Sequence, residues 1–85
     1  MGSYSLFFKR SVAKDLKAIP RADVRKILKR IDGLADDPRP AGSKKLTQQE
    51  FYRIRHGTYR IIYEIADDKL IVQVIRVAQR SKAYL

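Results

Sequence analysis

The sequence predicts an α+β fold: an N-terminal strand, a helical hairpin and then a three-stranded antiparallel meander, giving a small sheet covered on one face by two helices. Two observations lead there. In the first half, apolar residues recur at helical spacing and are interrupted once, by Pro20. In the second half, alternating Ile, Val and Tyr take over, broken only by the short polar pairs His56-Gly57 and Asp67-Asp68. The 85 residues fit a single domain spanning 1–85, and a hydrophobic fraction of 45% is that of a chain that folds.

Each element has its own justification. Tyr4 to Lys9 is rich in aromatics and reads as a short strand. Ser11 is a candidate N-cap, after which Val12, Leu16 and Ile19 fall on one helical face. Pro20 ends that helix at or before Ile19. Val24, Ile27, Leu28, Ile31 and Leu34 then form an apolar stripe, while Arg25, Lys26, Lys29 and Arg30 face away. The run from Asp36 to Gly42, with Pro38 and Pro40, is a stop followed by a loop.

Phe51 to Arg55, Thr58 to Ile65 and Leu70 to Val77 read as the meander. With His56-Gly57 as a two-residue loop, Arg55 opposes Thr58, Ile54 opposes Tyr59 and Arg53 opposes Arg60. Tyr52, Ile54, Tyr59, Ile61, Tyr63 and Ile65 then share one apolar face. A two-residue loop at Asp67-Asp68 adds Leu70, Val72 and Val74, and brings Arg76 to the edge of that helix-covered face. The other face collects Arg53, Arg55, Arg60 and Glu64 beside Ile62, Ile71 and Ile75.

Charge narrows the function. Nineteen Lys and Arg against nine Asp and Glu give a formal +10, which favours a polyanionic partner. The absence of cysteine removes disulfides, Cys-ligated zinc and thiol nucleophiles, and a single His argues against a His-based metal site. No apolar run approaches the roughly 20 residues needed to span a bilayer, and Leu6-Phe7-Phe8 is too short for a signal-peptide core. A cytoplasmic protein with no membrane association is the expectation.

The polar face carries the chemistry. Like charges directly opposed across a sheet destabilise it, so the Arg53–Arg60 pair calls for a carboxylate such as Glu64 or a bound polyanion. Guanidinium groups offer forked donors matched to phosphate oxygens and stay charged at neutral pH. Arg80 and Tyr84 follow the last strand, and a turn of suitable length returns them to the same face. A phenol beside several cations stacks on a base or moves a proton more readily, since the cations favour the phenolate. Such a cluster suits phosphodiester chemistry on RNA, or simply the binding of a nucleic acid or an acidic protein. Glu64 reads as an ion-pair partner for Arg60 or Arg53, His56 as a turn residue, and Tyr52, Tyr59 and Tyr63 as core.

Several motifs in order carry a family resemblance: Lys14-Asp15-Leu16, Asp37-Pro38-Arg39-Pro40, Lys44-Lys45-Leu46, Phe51-Tyr52-Arg53-Ile54-Arg55, Tyr59-Arg60-Ile61-Ile62-Tyr63-Glu64-Ile65, and Val77-Ala78-Gln79-Arg80 followed by Tyr84. Through nearly all its length the chain resembles the RelE/ParE superfamily of bacterial toxin–antitoxin toxins, the RelE branch most of all. The resemblance implies a RelE-like fold and a type II toxin, a metal-independent endoribonuclease without cofactor that cleaves mRNA in the A site of the 70S ribosome. The ribose 2′-hydroxyl attacks the adjacent phosphate there and translation stops. It also implies a cognate antitoxin, through which the complex binds operator DNA.

Carried over by position, Arg60 and Arg80 stabilise the transition state and Tyr84 orients or stacks the nucleotide. Arg53 and Arg55 are the basic strand positions, often Lys in relatives, and Lys44 and Lys45 join them in binding RNA. Arg in place of Lys at 53 and 55 keeps the charge but removes a neutral amine as general base. With Leu85 directly after Tyr84, no C-terminal helix of the kind some relatives carry is expected. Two other readings stay open: a ParE-like inhibitor of DNA gyrase, and a non-catalytic basic module that binds nucleic acid.

Overall fold

The computed structural model describes residues 3–46 and 51–79. Arg80 and Tyr84 therefore lie outside the described residues. The fold is α+β: two helices and a five-stranded mixed sheet. In chain order the elements are β1 (Ser5–Phe8), α1 (Arg10–Lys17), α2 (Arg21–Asp32), β2 (Lys44–Lys45), β3 (Phe51–His56), β4 (Tyr59–Ala66) and β5 (Ile71–Gln79). The strand order is β1-β5-β4-β3-β2. The predicted meander is β3-β4-β5, β1 joins β5 in parallel, and β2 adds a two-residue antiparallel edge beyond the meander.

Both helices bury one stripe against the same face of the sheet. Val12 and Ile19 from the first helical segment meet Ile27, Ile31 and Leu34 from the second. Beneath them lie Tyr52, Ile54, Tyr59, Ile61, Tyr63, Ile65, Val72, Val74 and Val77. Leu28 departs from the expected stripe: it is 38% exposed, on the rim of the helical layer beside Phe8. The first helix begins two residues earlier than a Ser11 cap implies. Lys9 holds the extended N-cap backbone and its carbonyl accepts the Val12 N–H, so Ser11 lies inside the first turn and caps nothing. Pro20 ends the first helical stretch as expected and starts α2 from its N-cap position.

Both hairpin loops differ from the expectation: the first is displaced by one position and the second is two residues longer. His56 pairs with Tyr59, leaving Gly57-Thr58 as the loop. Gly57 has φ +60°, which glycine alone adopts freely, and glycine at the first central position is the signature of a type II′ turn. The pairs are therefore Arg55–Arg60, Ile54–Ile61 and Arg53–Ile62, in place of Arg53–Arg60. The register moved by two residues, an even number, so every side chain kept its face.

In the second hairpin, Asp67–Lys69 form a 3-10 turn and Ala66 pairs with Ile71. Leu70, expected in the core, is the left-handed residue closing this turn (φ 53°) and is 49% exposed. The remainder of the predicted sheet core is buried as expected.

A polar knot ties this turn to the loop after α2. Arg39 grips Asp67 with both terminal nitrogens, at 3.1 and 2.8 Å, and its Nε donates to the Tyr52 hydroxyl at 3.1 Å. Tyr4 donates to the same carboxylate at 2.6 Å. Asp67 is consequently held down at about 2, chiefly by the Arg39 hydrogen bonds and then by Tyr4. Nearby, the buried Tyr63 hydroxyl donates to the Pro38 carbonyl at 2.7 Å. The Asp37-Pro38-Arg39-Pro40 motif is thus a clamp between the helical layer and the sheet.

Candidate nucleic-acid interface

Directly opposed residues of antiparallel strands share a face, so the pairing fixes what stands on the side of the sheet away from the helices. One cross-strand row runs Lys44–Arg53–Ile62–Arg76, and the next runs Arg55–Arg60–Ala78. Same-face neighbours along a strand are about 6.6 Å apart and neighbouring strands about 4.8 Å, so five cations stand within a patch roughly 15 Å across. Beyond them, Phe51–Glu64–Gln73–Phe7 forms a row of mixed character.

Of the residues singled out from sequence, Arg53, Arg55 and Arg60 come together as expected, although Arg60 directly faces Arg55. Lys44 and Lys45 do not stay together. Lys44 stands opposite Arg53 in the arginine patch, whereas Lys45 pairs with Tyr52 and belongs to the helix side. His56 is the last residue of β3 rather than a turn residue. It borders Lys26, Lys29 and Arg30 on the helix side, away from the arginines.

Arg76 departs from the alternation that would set it at the edge of the helix-covered face. Tyr63 pairs with Val74 but Ile62 pairs with Arg76, so Ile75 is an extra residue, a β-bulge. The bulge reverses the phase of β5: Val77 enters the core and Arg76 emerges on the arginine face. The signal was present in the sequence. Val72 and Val74 set one phase, while Val77 following Arg76 breaks it.

The patch is electrostatically unbalanced. The Nε atoms of Arg53, Arg60 and Arg76 are buried and have no hydrogen-bond partner among the described residues. Glu64, expected as a counter-ion, forms no ion pair with them there; it stands between Phe51 and Gln73 instead. Arg53 feels the crowding: its guanidinium is more acidic than usual, first through burial and then through the charges of Arg55 and Arg60. A buried donor left unpaired costs about 1–3 kcal/mol, and three such donors on one face, each on a cation, are suited to an anion with many acceptor oxygens. Ile62 is fully buried yet stands outside the helix-side core, flanked by Arg53 and Arg76, whose aliphatic stems give the patch an apolar floor.

Among the described residues, no group of three His, Asp or Glu side chains is arranged to hold a metal ion, and no helix is long and apolar enough to cross a membrane.

Comparison with known proteins agrees with this architecture. The family model of the ParE toxin of the type II toxin–antitoxin system parDE matches residues 6–84. The toxin RelE1 of Methanocaldococcus jannaschii is 32% identical over 77 residues, covering 86% of each chain. The mRNA interferase toxin RelE of Escherichia coli is 25% identical over 83 residues, covering 95% of this chain and 87% of its own. In the crystal structure of the archaeal RelE–RelB complex from Pyrococcus horikoshii, a chain with 29% identity superposes with a TM-score of 0.83, over 95% of this chain and 99% of that one. With a family match over almost the whole chain, relatives that are RelE toxins and the same two-helix, five-stranded architecture, the chain belongs to the ParE toxin family of type II toxin–antitoxin systems and is a RelE-like toxin.

Proposed function

We propose that this toxin is a ribosome-dependent endoribonuclease that cleaves mRNA in the A site, using the arginine face as its active surface. The observation that carries the reading is the set of unpaired, buried Nε donors on Arg53, Arg60 and Arg76 beside the opposed Arg55–Arg60 pair. Folding alone does not favour such a face, whereas a phosphodiester backbone satisfies it. The relative named as an mRNA interferase supports the same substrate.

In the proposed reaction, the 2′-oxygen of the ribose forms a bond to the adjacent phosphorus while the bond from phosphorus to the 5′-oxygen of the next nucleotide breaks. The products are a 2′,3′-cyclic phosphate and a 5′-hydroxyl. The 2′-hydroxyl gives up its proton and the departing 5′-oxygen gains one. Negative charge grows on the non-bridging oxygens as the phosphorus becomes five-coordinate. Arg60 and Arg55 meet that charge, Arg80 completes the cage, and Tyr84 orients the nucleotide. Arg53 and Lys44 bind the flanking RNA; Lys45, on the helix side, takes no part. The contribution is mainly electrostatic preorganisation, for which loss of a single donor commonly costs about 10²–10³ in rate. The ribosome supplies the mRNA geometry, and a cognate antitoxin, as in the RelE–RelB complex of the Pyrococcus relative, silences the toxin in the cytoplasm and carries the complex to its operator DNA.

Primer extension on a translated mRNA, with purified toxin and with or without ribosomes, tests this. Codon-phased cleavage requiring ribosomes, abolished by Arg60→Ala and by Arg80→Ala with the fold intact, is the expected result. Wild-type cleavage by both variants overturns the assignment of the site. The ParE description of the matching family model favours a second reading, a gyrase inhibitor. Gyrase-trapped DNA breaks without mRNA cleavage would select it.

A further inference from the structure

We propose that Arg76 is a second phosphate-binding residue of the active face, holding the phosphate next to the one that is cleaved. The inference rests on the reading of this face as an RNA surface, and goes beyond it by giving a role to a residue that alternation alone would bury.

Three observations converge on Arg76. The bulge at Ile75 turns its side chain out of the helix-side core and onto the arginine face, in the row with Arg53 and Lys44. Its Nε is buried and has no partner among the described residues. A carboxylate on the same groove is already engaged: Asp15 and Arg76 both border it, but Asp15 accepts the Val77 backbone N–H at 3.1 Å and forms no ion pair with Arg76 among the described residues.

Position then separates its role from that of the central pair. Arg55 and Arg60 are direct cross-strand neighbours, about 5 Å apart at their backbones, and converge on one phosphate. Arg53 and Arg76 stand on either side of Ile62, two strand spacings or about 10 Å apart. That separation suits the phosphates flanking the central one along an extended strand. A contact of this kind is made equally in the ground and transition states, so its loss raises KM and leaves kcat little altered.

The test uses the full chain and a 2′-O-methyl RNA oligonucleotide, which cannot be cleaved, with affinity followed by fluorescence anisotropy across a salt series. Arg76→Gln is expected to bind about tenfold more weakly at the lowest salt, as for loss of one charge-assisted hydrogen bond. The slope of log affinity against log salt is expected to become shallower by about 0.7, the increment for one phosphate contact on a single strand. Arg76→Lys is expected to restore the slope, which a purely structural role would not require. In ribosomal cleavage, Arg76→Gln raises KM with kcat nearly unchanged.

Wild-type affinity and slope in Arg76→Gln, while Arg60→Ala loses its own increment, overturn the inference and leave the RNA face standing. Loss of antitoxin affinity with RNA binding intact overturns it as well, assigning Arg76 to the acidic partner. Absence of RNA binding by the wild type, or no change in either Arg60→Ala or Arg76→Gln, defeats the reading of the face itself. Should Arg76→Gln fail to fold, the wild-type chain is titrated instead with an oligonucleotide in which the phosphate next to the central one is a neutral methylphosphonate: an unchanged affinity and salt slope sink the proposal, because no charge at that phosphate is then being read.

Discussion

Arg55 and Arg60 oppose each other directly, and replacing them by glutamine, singly and together, separates the cost of that pairing from its use. With the two charges about 5–8 Å apart and the dielectric of water, their repulsion is about 0.5–0.8 kcal/mol. Removing either charge abolishes the pair, so the double mutant should regain less than the sum of the two single gains, by that amount. Urea denaturation at low salt measures the cycle. At 1 M salt, where the screening length is about 3 Å, the coupling should nearly vanish. Cleavage should move the opposite way, falling about 10²–10³ in Arg60→Gln. The combination of a more stable fold and a lost activity is the mark of residues retained for function. A coupling of zero or of attractive sign at low salt would refute the reasoning, because an internal group would then already neutralise the pair.

Three further outcomes follow from the rest of the fold. Asp67 titrates at about 2 in the folded chain against its ordinary 3.8; its contribution is complete above the higher value and is lost as pH falls through the lower. Asp67→Asn should therefore lower the melting temperature at neutral pH and flatten the acid limb between those values, as read by thermal unfolding across a pH series. Tyr63→Phe strands the buried Pro38 carbonyl and should cost about 1–2 kcal/mol in denaturant titration. Burial pushes the Tyr63 phenol up to about 12 from 10.0, so its stabilising contribution is present below pH 10 and is lost as pH rises through the higher value, a loss the Phe variant should not show. Leu70→Gly relieves a left-handed backbone at an exposed site and should stabilise by about 0.5 kcal/mol, the strain of about 1–2 being partly offset by glycine's unfolded-state freedom; a lower melting temperature would show that Leu70 contributes packing instead.

Some of these features were legible in the linear sequence and others were not. The identity of the two sheet faces was, because apolar alternation is a local property and survives a register change of two. Hence the shared face of Arg53, Arg55 and Arg60 is legible in the sequence even though both turns differ from expectation. Loop length was less accessible: His56-Gly57 and Gly57-Thr58 differ only in which residue glycine serves in the turn, and Leu70 gives no sign of left-handed backbone. Lys44 and Lys45 look alike in sequence, yet pairing with β3 sends one to each face. The family motifs at Arg80 and Tyr84 remain expectations from resemblance, since both fall outside the described residues.

The sequence by itself determined the α+β class, the helix-facing core and a net charge of +10 concentrated in lysine and arginine. Local periodicity and composition suffice for those, because each depends only on near neighbours in the chain. Tertiary structure decided which charges meet. Parallel pairing of β1 with β5, the clamp from Arg39 to Asp67 and the bulge at Ile75 all join residues far apart in sequence or break the alternation by one. A single inserted residue outweighs alternation there because burying Val77 is favourable and burying an unpaired guanidinium is not. That trade brings Arg76 beside Ile62 and turns a run of basic residues into one face.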